Sequence, residues 1–304
     1  MRSAFKYIII LILAVLIVVI FAVIFSNKRF FGDNSIMSRL LNKPAPEPVL
    51  ILRPEKSVTL LEGWTNKDMA QYFERQGIWQ AEEFLELAGF PKVNYDQETE
   101  LSKPLDYSSK FDFLKDKPKN TGLEGYLFPD TYRIFADEAK PEDLIEKMLN
   151  NFDHQLTAEM RAEIKKQGRT IYEVVIMASL VEKEAPINYK TGDNKDAKII
   201  AGIFWDRIKN GQALQSCASL AYILEVNKPQ YSTEDTKIDS LYNTYKYLNL
   251  PPGPVSNPGI LALEATIYPI YTEYNFFLTP AKSKDVVYSV SYQEHLRNKL
   301  KYLP

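Results

Sequence analysis

The chain has 304 residues, 25% of them charged, with a formal net charge of −2 and a single cysteine. That length accommodates one membrane segment and two modest domains. The near-neutral balance supplies no basic field for nucleic acid, the lone Cys217 rules out an intramolecular disulfide, and His154 and His295, far apart and without partners at ligand spacing, argue against a metal site.

Tyr7 to Phe25 is an uninterrupted apolar run without a charge. At 1.5 Å per residue it spans roughly 28 Å as a helix, close to the hydrocarbon thickness of a bilayer. A cleaved signal peptide would have a shorter apolar core followed by a small-x-small site. Here the run ends in Phe25-Ser26-Asn27-Lys28-Arg29, which reads as an uncleaved anchor. Arg2 and Lys6 precede the span and Lys28, Arg29 and Arg39 follow it, so charge alone does not set its orientation. Residues 26–48, with Pro44, Pro46 and Pro48, read as a semi-rigid linker.

Val49 to Leu52 and Ser57 to Leu61 read as strands. Thr65 and Asp68 make the two ends of a capping-box pattern that opens a helix to about Gln76, stopped by Gly77. A second helix, Gln80 to Ala88, stops at Gly89-Phe90-Pro91. Asn94 to Asn120 is polar and aperiodic and reads as a connection. Helices are expected over Glu142–Asn151, Ala158–Lys166, Thr170–Glu184, Asp196–Asn210, Ala218–Leu224 and Ile260–Ile267. In Asp196–Asn210 the apolar stripe is Ile199, Ile203, Phe204 and Ile208. Asn275–Thr279 and Val286–Val290 suit a terminal hairpin, closed by a helix from Tyr292 to Tyr302. The fold class is therefore α+β, mostly helical beyond residue 121.

The helix that ends at Glu184 carries the chemistry. Val174, Met177, Ala178 and Val181 form one apolar stripe, and Glu184 follows Val181 at i, i+3. Pro186 stops the helix. A carboxylate where an apolar helix meets a loop is a candidate proton donor, because partial desolvation favours the protonated acid. Glu182, two positions earlier, points about 200° away, so only one of the pair can face a given cleft.

Four segments carry a family resemblance, in the right order and spacing. They are Leu123-Glu124-Gly125-Tyr126-Leu127-Phe128-Pro129-Asp130-Thr131-Tyr132, then Ala178-Ser179-Leu180-Val181-Glu182-Lys183-Glu184-Ala185, then Leu214-Gln215-Ser216, then Tyr242-Asn243-Thr244-Tyr245 followed by Leu250-Pro251-Pro252-Gly253-Pro254-Val255-Ser256-Asn257-Pro258-Gly259. Together, from about Val58 to Tyr302, the chain resembles the YceG-like family, which comprises the MltG-type endolytic murein transglycosylases.

The resemblance implies a single-pass inner-membrane protein of a bacterium, with residues 1–6 cytoplasmic, 7–25 as signal anchor and the body extracytoplasmic. It implies a catalytic domain over 121–304, preceded by a LysM-like unit and connection over 49–120. That unit either binds N-acetylglucosamine-containing glycans or only orients the catalytic domain. The implied substrate is the peptidoglycan glycan strand, cut at MurNAc–GlcNAc β-1,4 bonds without a cofactor. Partnership with cell-wall synthesis complexes is also implied. Glu184 takes the catalytic role, as acid and then base. Gln215 and Ser216 line the cleft, Tyr242, Asn243 and Tyr245 form the opposite wall, and Glu182 and Glu124 sit beside it as further substrate-side groups or as structural charges. The family continues Leu-Gln-Ser with Asp-Pro-Thr, whereas this chain has Cys217-Ala218-Ser219, so an acidic residue is lost. Two rival readings stay open: a muramidase that uses water, and a glycan-binding scaffold without catalysis.

Overall fold

Residues Arg2–Ser26 form helix α1. Its window Lys6–Val23 has a mean hydropathy of 3.1, and its large apolar side chains from Tyr7 to Val23 are exposed. It is apolar on every side and long enough to cross a bilayer. The computed structural model describes residues 2–26, 55–97, 100–135, 139–228, 230–280 and 285–303. Beyond Ser26, the expected linker over 26–48 lies outside the described residues, as does the expected strand over 49–52. Residues 1–52 form one unit and residues 53–304 another.

The second unit opens with strand β1, Glu55–Thr59, two residues ahead of the expected Ser57–Leu61. Its antiparallel partner is β2, Thr131–Phe135, with Val58 opposite Tyr132. No strand is expected there from sequence, although Tyr132 and Ile134 alternate with exposed neighbours. Five residues with two buried positions give too weak a period to separate a strand from a loop. Between the strands lie α2, Asn66–Arg75, and α3, Ala81–Ala88. The capping box at Thr65 and Asp68 is formed as expected. Gly77 follows α2 with a φ of +64°, a conformation that favours glycine.

The stretch over 94–120 holds more than a polar connection. Tyr107, Phe111, Phe113 and Leu114 are buried there, and Asp112–Leu114 makes a short 3₁₀ turn. These apolar residues follow no regular period, which hides them from pattern reading.

Helix α4, Pro141–Gln155, extends four residues past its expected end because Phe152 prolongs the buried face. Pro141 sits in the first turn, where its missing N–H costs nothing. Helix α5, Ala158–Lys166, leads to α6, Ile171–Glu184, capped by Thr170 with Glu173. The single apolar stripe expected on α6 is too narrow a description, since every residue from Val174 to Val181 is buried. Val174, Val175 and Ala178 join the apolar cluster that contains Phe73, Phe84, Tyr126 and Phe152. Met177, Leu180 and Val181 join the other, with Ile200, Phe204 and Ala265. A helix apolar all round belongs inside a domain, and this one serves both cores.

Helices α7 (Lys195–Lys209), α8 (Cys217–Leu224) and α9 (Ile260–Ile267) pack against α6. The chain closes with the hairpin β3–β4, Phe276–Leu278 and Val287–Ser289, and with α10, Tyr292–Tyr302. With ten α-helices and four short strands among the described residues, the α+β expectation holds.

Candidate active site

Helix α6 delivers two carboxylates at its C-terminal end, and the structure gives them different surroundings. Glu184 reaches across to the N-terminus of α8. Its Oε1 accepts a hydrogen bond from the Ser216 hydroxyl at 2.6 Å and another from the Ala218 N–H at 3.0 Å. The first N–H groups of a helix need acceptors from outside it. Ser216 occupies the N-cap position of α8 but does not cap the helix with its own side chain; it gives its hydroxyl to Glu184, and the carboxylate accepts the helix N–H instead. Oε2 of Glu184 takes no hydrogen bond among the described residues, and the side chain is part-exposed.

Glu182 faces the other way. Its Oε2 accepts from the Tyr189 hydroxyl and from the Gly259 N–H, the latter at 3.0 Å. Burial raises its pKa, opposed by those two donors. The carboxylate thereby ties the end of α6 to the loop that enters α9.

The remaining expected site residues divide between the two ends of α8. At its N-terminus, beside Glu184, stand Ser216, exposed Gln215 and Tyr245, whose hydroxyl lies 3.2 Å from the Cys217 Sγ. Burial foremost, then Cys217 and Glu184, pushes the Tyr245 phenol well up, so it is a neutral group. Burial likewise raises the Cys217 thiol, with Glu184 adding to it. At the far end of α8, Tyr242 packs on Tyr222 with ring centroids 5.1 Å apart. Tyr242 and Tyr245, expected together in one wall, thus stand near opposite ends of α8, Tyr242 beside Tyr222 and Tyr245 beside Cys217. Asn243 is fully buried. It donates to the carbonyls of Thr236 and Ile238 and accepts from the Tyr245 N–H, so it shapes the wall from behind.

Glu124 is also buried, at 8% exposure. Its Oε1 accepts from the Asn66 N–H at 3.0 Å and from the Asn257 side-chain amide at 3.1 Å. Burial pushes its pKa from 4.5 up to about 8. The folded protein thus keeps a proton that the unfolded chain has already released, and stability falls as pH rises from about 4.5 to about 8. Glu124→Gln keeps the acceptor oxygen and removes the titration. The variant is expected to flatten the dependence of Tm on pH over that window, with the largest gain over wild type at its upper end. Parallel melting of both proteins across the range checks it.

Sequence reasoning missed three groups. The Ala218 N–H is a backbone donor and leaves no trace in the residue type. Arg207, buried, donates to the carbonyls of Leu214 and Asn275 and braces the segment before Ser216. Asn257, with no exposure, accepts from the N–H groups of Gly125 and Leu127 and donates to Trp64, Asn66 and Glu124. It stands inside the motif that ends Ser256-Asn257-Pro258-Gly259, which was the available signal. Beside the site a cavity of about 170 Å³ separates α2 from α8, lined by Thr65, Lys67, Gln71, Ala218 and Tyr222 among others. No group of three metal-ligating side chains occurs among the described residues.

A protein of Bacillus subtilis (strain 168) named endolytic murein transglycosylase is 34% identical over 181 residues, covering 60% of this chain and 48% of that protein. A protein of the same name from Streptococcus pneumoniae serotype 2 (strain D39 / NCTC 7466) is 32% identical over 265 residues, covering 83% of this chain and 44% of that one. The chain thus spans about half the length of the curated relatives it matches. The crystal structure of a yceG-like protein from Listeria monocytogenes aligns with a TM-score of 0.66 at 29% identity, over 79% of this chain and 75% of that one. A sequence model of the YceG-like family matches residues 33–301, nearly the whole of the chain, and the chain belongs to that family.

Proposed function

We propose that this protein is an endolytic murein transglycosylase that cleaves MurNAc–GlcNAc β-1,4 bonds within glycan strands and leaves 1,6-anhydroMurNAc ends. The observation that carries the reading is the Glu184 carboxylate, with Oε1 held by two donors and Oε2 left open. In this mechanism the protonated Oε2 gives its proton to the glycosidic oxygen as the C1–O bond breaks. The departing N-acetylglucosamine leaves with a free 4-hydroxyl. The resulting carboxylate then takes the proton of the muramic C6 hydroxyl as that oxygen bonds to C1. One proton is given and one recovered, and no water is consumed. Between the two transfers the Ser216 hydroxyl and the Ala218 N–H, at the positive end of α8, stabilise the carboxylate charge. The C6 hydroxyl belongs to the same sugar as C1, so its attack has the advantage of an intramolecular step.

Gln215 and Tyr245, flanking Glu184, are the proposed sugar contacts, and the cavity between α2 and α8 is the proposed continuation of the glycan path. The unit from β1 through α2 and α3 is proposed as LysM-like and glycan-binding; its strand–helix–helix order supports this, and the pairing of β1 with β2 carries the unit past residue 120. Helix α1 is proposed as an uncleaved inner-membrane anchor with the body extracytoplasmic, a position suited to work beside cell-wall synthesis complexes.

Mass spectrometry of digested glycan strands tests the activity. Anhydro ends are expected. Reducing ends would identify a muramidase, and intact strands a scaffold without catalysis.

A further inference from the structure

The Ser216 hydroxyl can meet Glu184 only if the main chain at 214–216 is held in place, and that segment has an unusual backbone. Gln215 has a φ of +53°, in the left-handed region that side-chain-bearing residues seldom occupy. Such a conformation persists only where the surroundings enforce it. Here the enforcing groups are two buried hydroxyls. Thr244 is 1% exposed and Ser219 has no exposure. The Ser216 N–H donates to Thr244 Oγ1 at 2.9 Å, and the Gln215 N–H donates to the Thr244 carbonyl at 3.0 Å. Ser219 Oγ donates to the Ser216 carbonyl at 2.8 Å and lies 2.9 Å from Thr244 Oγ1. The protons balance around this ring: Ser216 N–H gives to Thr244, the Thr244 hydroxyl gives to Ser219, and the Ser219 hydroxyl gives back to the Ser216 carbonyl. Every member has a partner, and neither Thr244 nor Ser219 has a hydrogen bond to Glu184.

We propose that Thr244 and Ser219 are positioning residues for the reaction. They clamp both peptide groups of Ser216, so that its hydroxyl holds Oε1 of Glu184 and keeps Oε2 turned to the scissile bond. The inference rests on the transglycosylase reading above and adds to it the source of the acid's orientation.

The test uses the full chain with Thr244→Val, Thr244→Ser, Ser219→Ala, Ser216→Ala and the double variant Ser216→Ala/Thr244→Val, with kcat, KM and Tm measured on glycan strands. Valine matches threonine in shape and lacks the hydroxyl. A small misplacement of a reacting group costs up to about 10²-fold in rate, so Thr244→Val is expected to lower kcat by about 10–100-fold with KM unchanged. Thr244→Ser is expected to retain kcat, and Ser219→Ala to fall between. Because Thr244 acts through Ser216, the double variant is expected to be no slower than Ser216→Ala alone, a coupling that an independent structural role would not give. A wild-type kcat in Thr244→Val, or additive losses in the double variant, overturns the proposal. Should Thr244→Val fail to fold, Ser219→Ala carries the same test, with a wild-type kcat overturning it. Failure of the underlying reading looks different: the wild type then forms no anhydro ends at all.

Discussion

Glu184→Gln is expected to lower the rate of anhydro-end formation about 10²–10⁴-fold, the usual contribution of a general acid or base, while KM and Tm stay near wild type. The amide oxygen of glutamine can take the place of Oε1 and accept from Ser216 and the Ala218 N–H. Its amide nitrogen then occupies the open position and has no proton of suitable acidity to give. Glu182→Gln is expected to be milder, because one amide oxygen can accept from both Tyr189 and Gly259 as Oε2 does. Quantifying anhydro ends by mass spectrometry alongside thermal melting separates chemistry from folding. If Glu182→Gln proved the inactive variant and Glu184→Gln the active one, with both folded, the acid would be Glu182.

Asn257→Ala is expected to have the largest effect on stability. The substitution leaves the buried N–H groups of Gly125 and Leu127 without their acceptor. Each such group costs roughly 1–3 kcal/mol, so the expected loss is about 2–6 kcal/mol. In a body of this size that lowers Tm by on the order of ten degrees. Asn257→Asp keeps an acceptor but turns a carboxylate toward Glu124, which now receives a hydrogen bond from the amide. It is expected to be destabilised most at high pH, where Glu124 is also charged. Equilibrium unfolding in urea measures both variants. A loss below about 1 kcal/mol for alanine would mean that water replaces the amide and that the hub is dispensable.

What the sequence made legible is local. The capping pair Thr65 and Asp68 marked one helix start, and Gly77, Gly89 and Pro186 marked three ends, because caps and breakers act within a few residues of themselves. Glu184 was legible as an anomaly, a carboxylate at the end of an apolar helix. The hydrogen bond that orients it spans 32 positions, and its second donor is a main-chain N–H. Neither leaves a mark on periodicity. The same holds for Thr244, whose hydroxyl reads in sequence as one more small polar residue between tyrosines. Only the resemblance gathered Gln215, Ser216 and Tyr245 near Glu184. It gave no means of separating them from Glu124, Tyr242 and Asn243, which stand behind the wall or at the other end of α8.

The antiparallel pairing of β1 with β2 bears on how this protein can be dissected. Thr59 and Thr131 are partners although 72 positions separate them. A fragment cut at residue 120 would carry β1, α2 and α3 but lack the strand that satisfies β1. It would present a row of unpaired N–H and C=O groups beside the bared Val58 and Leu60, a template for edge-to-edge aggregation. The proposed glycan binding by the amino-terminal unit therefore has to be tested on chains that reach at least Phe135, and insolubility of a shorter piece would not bear on that proposal.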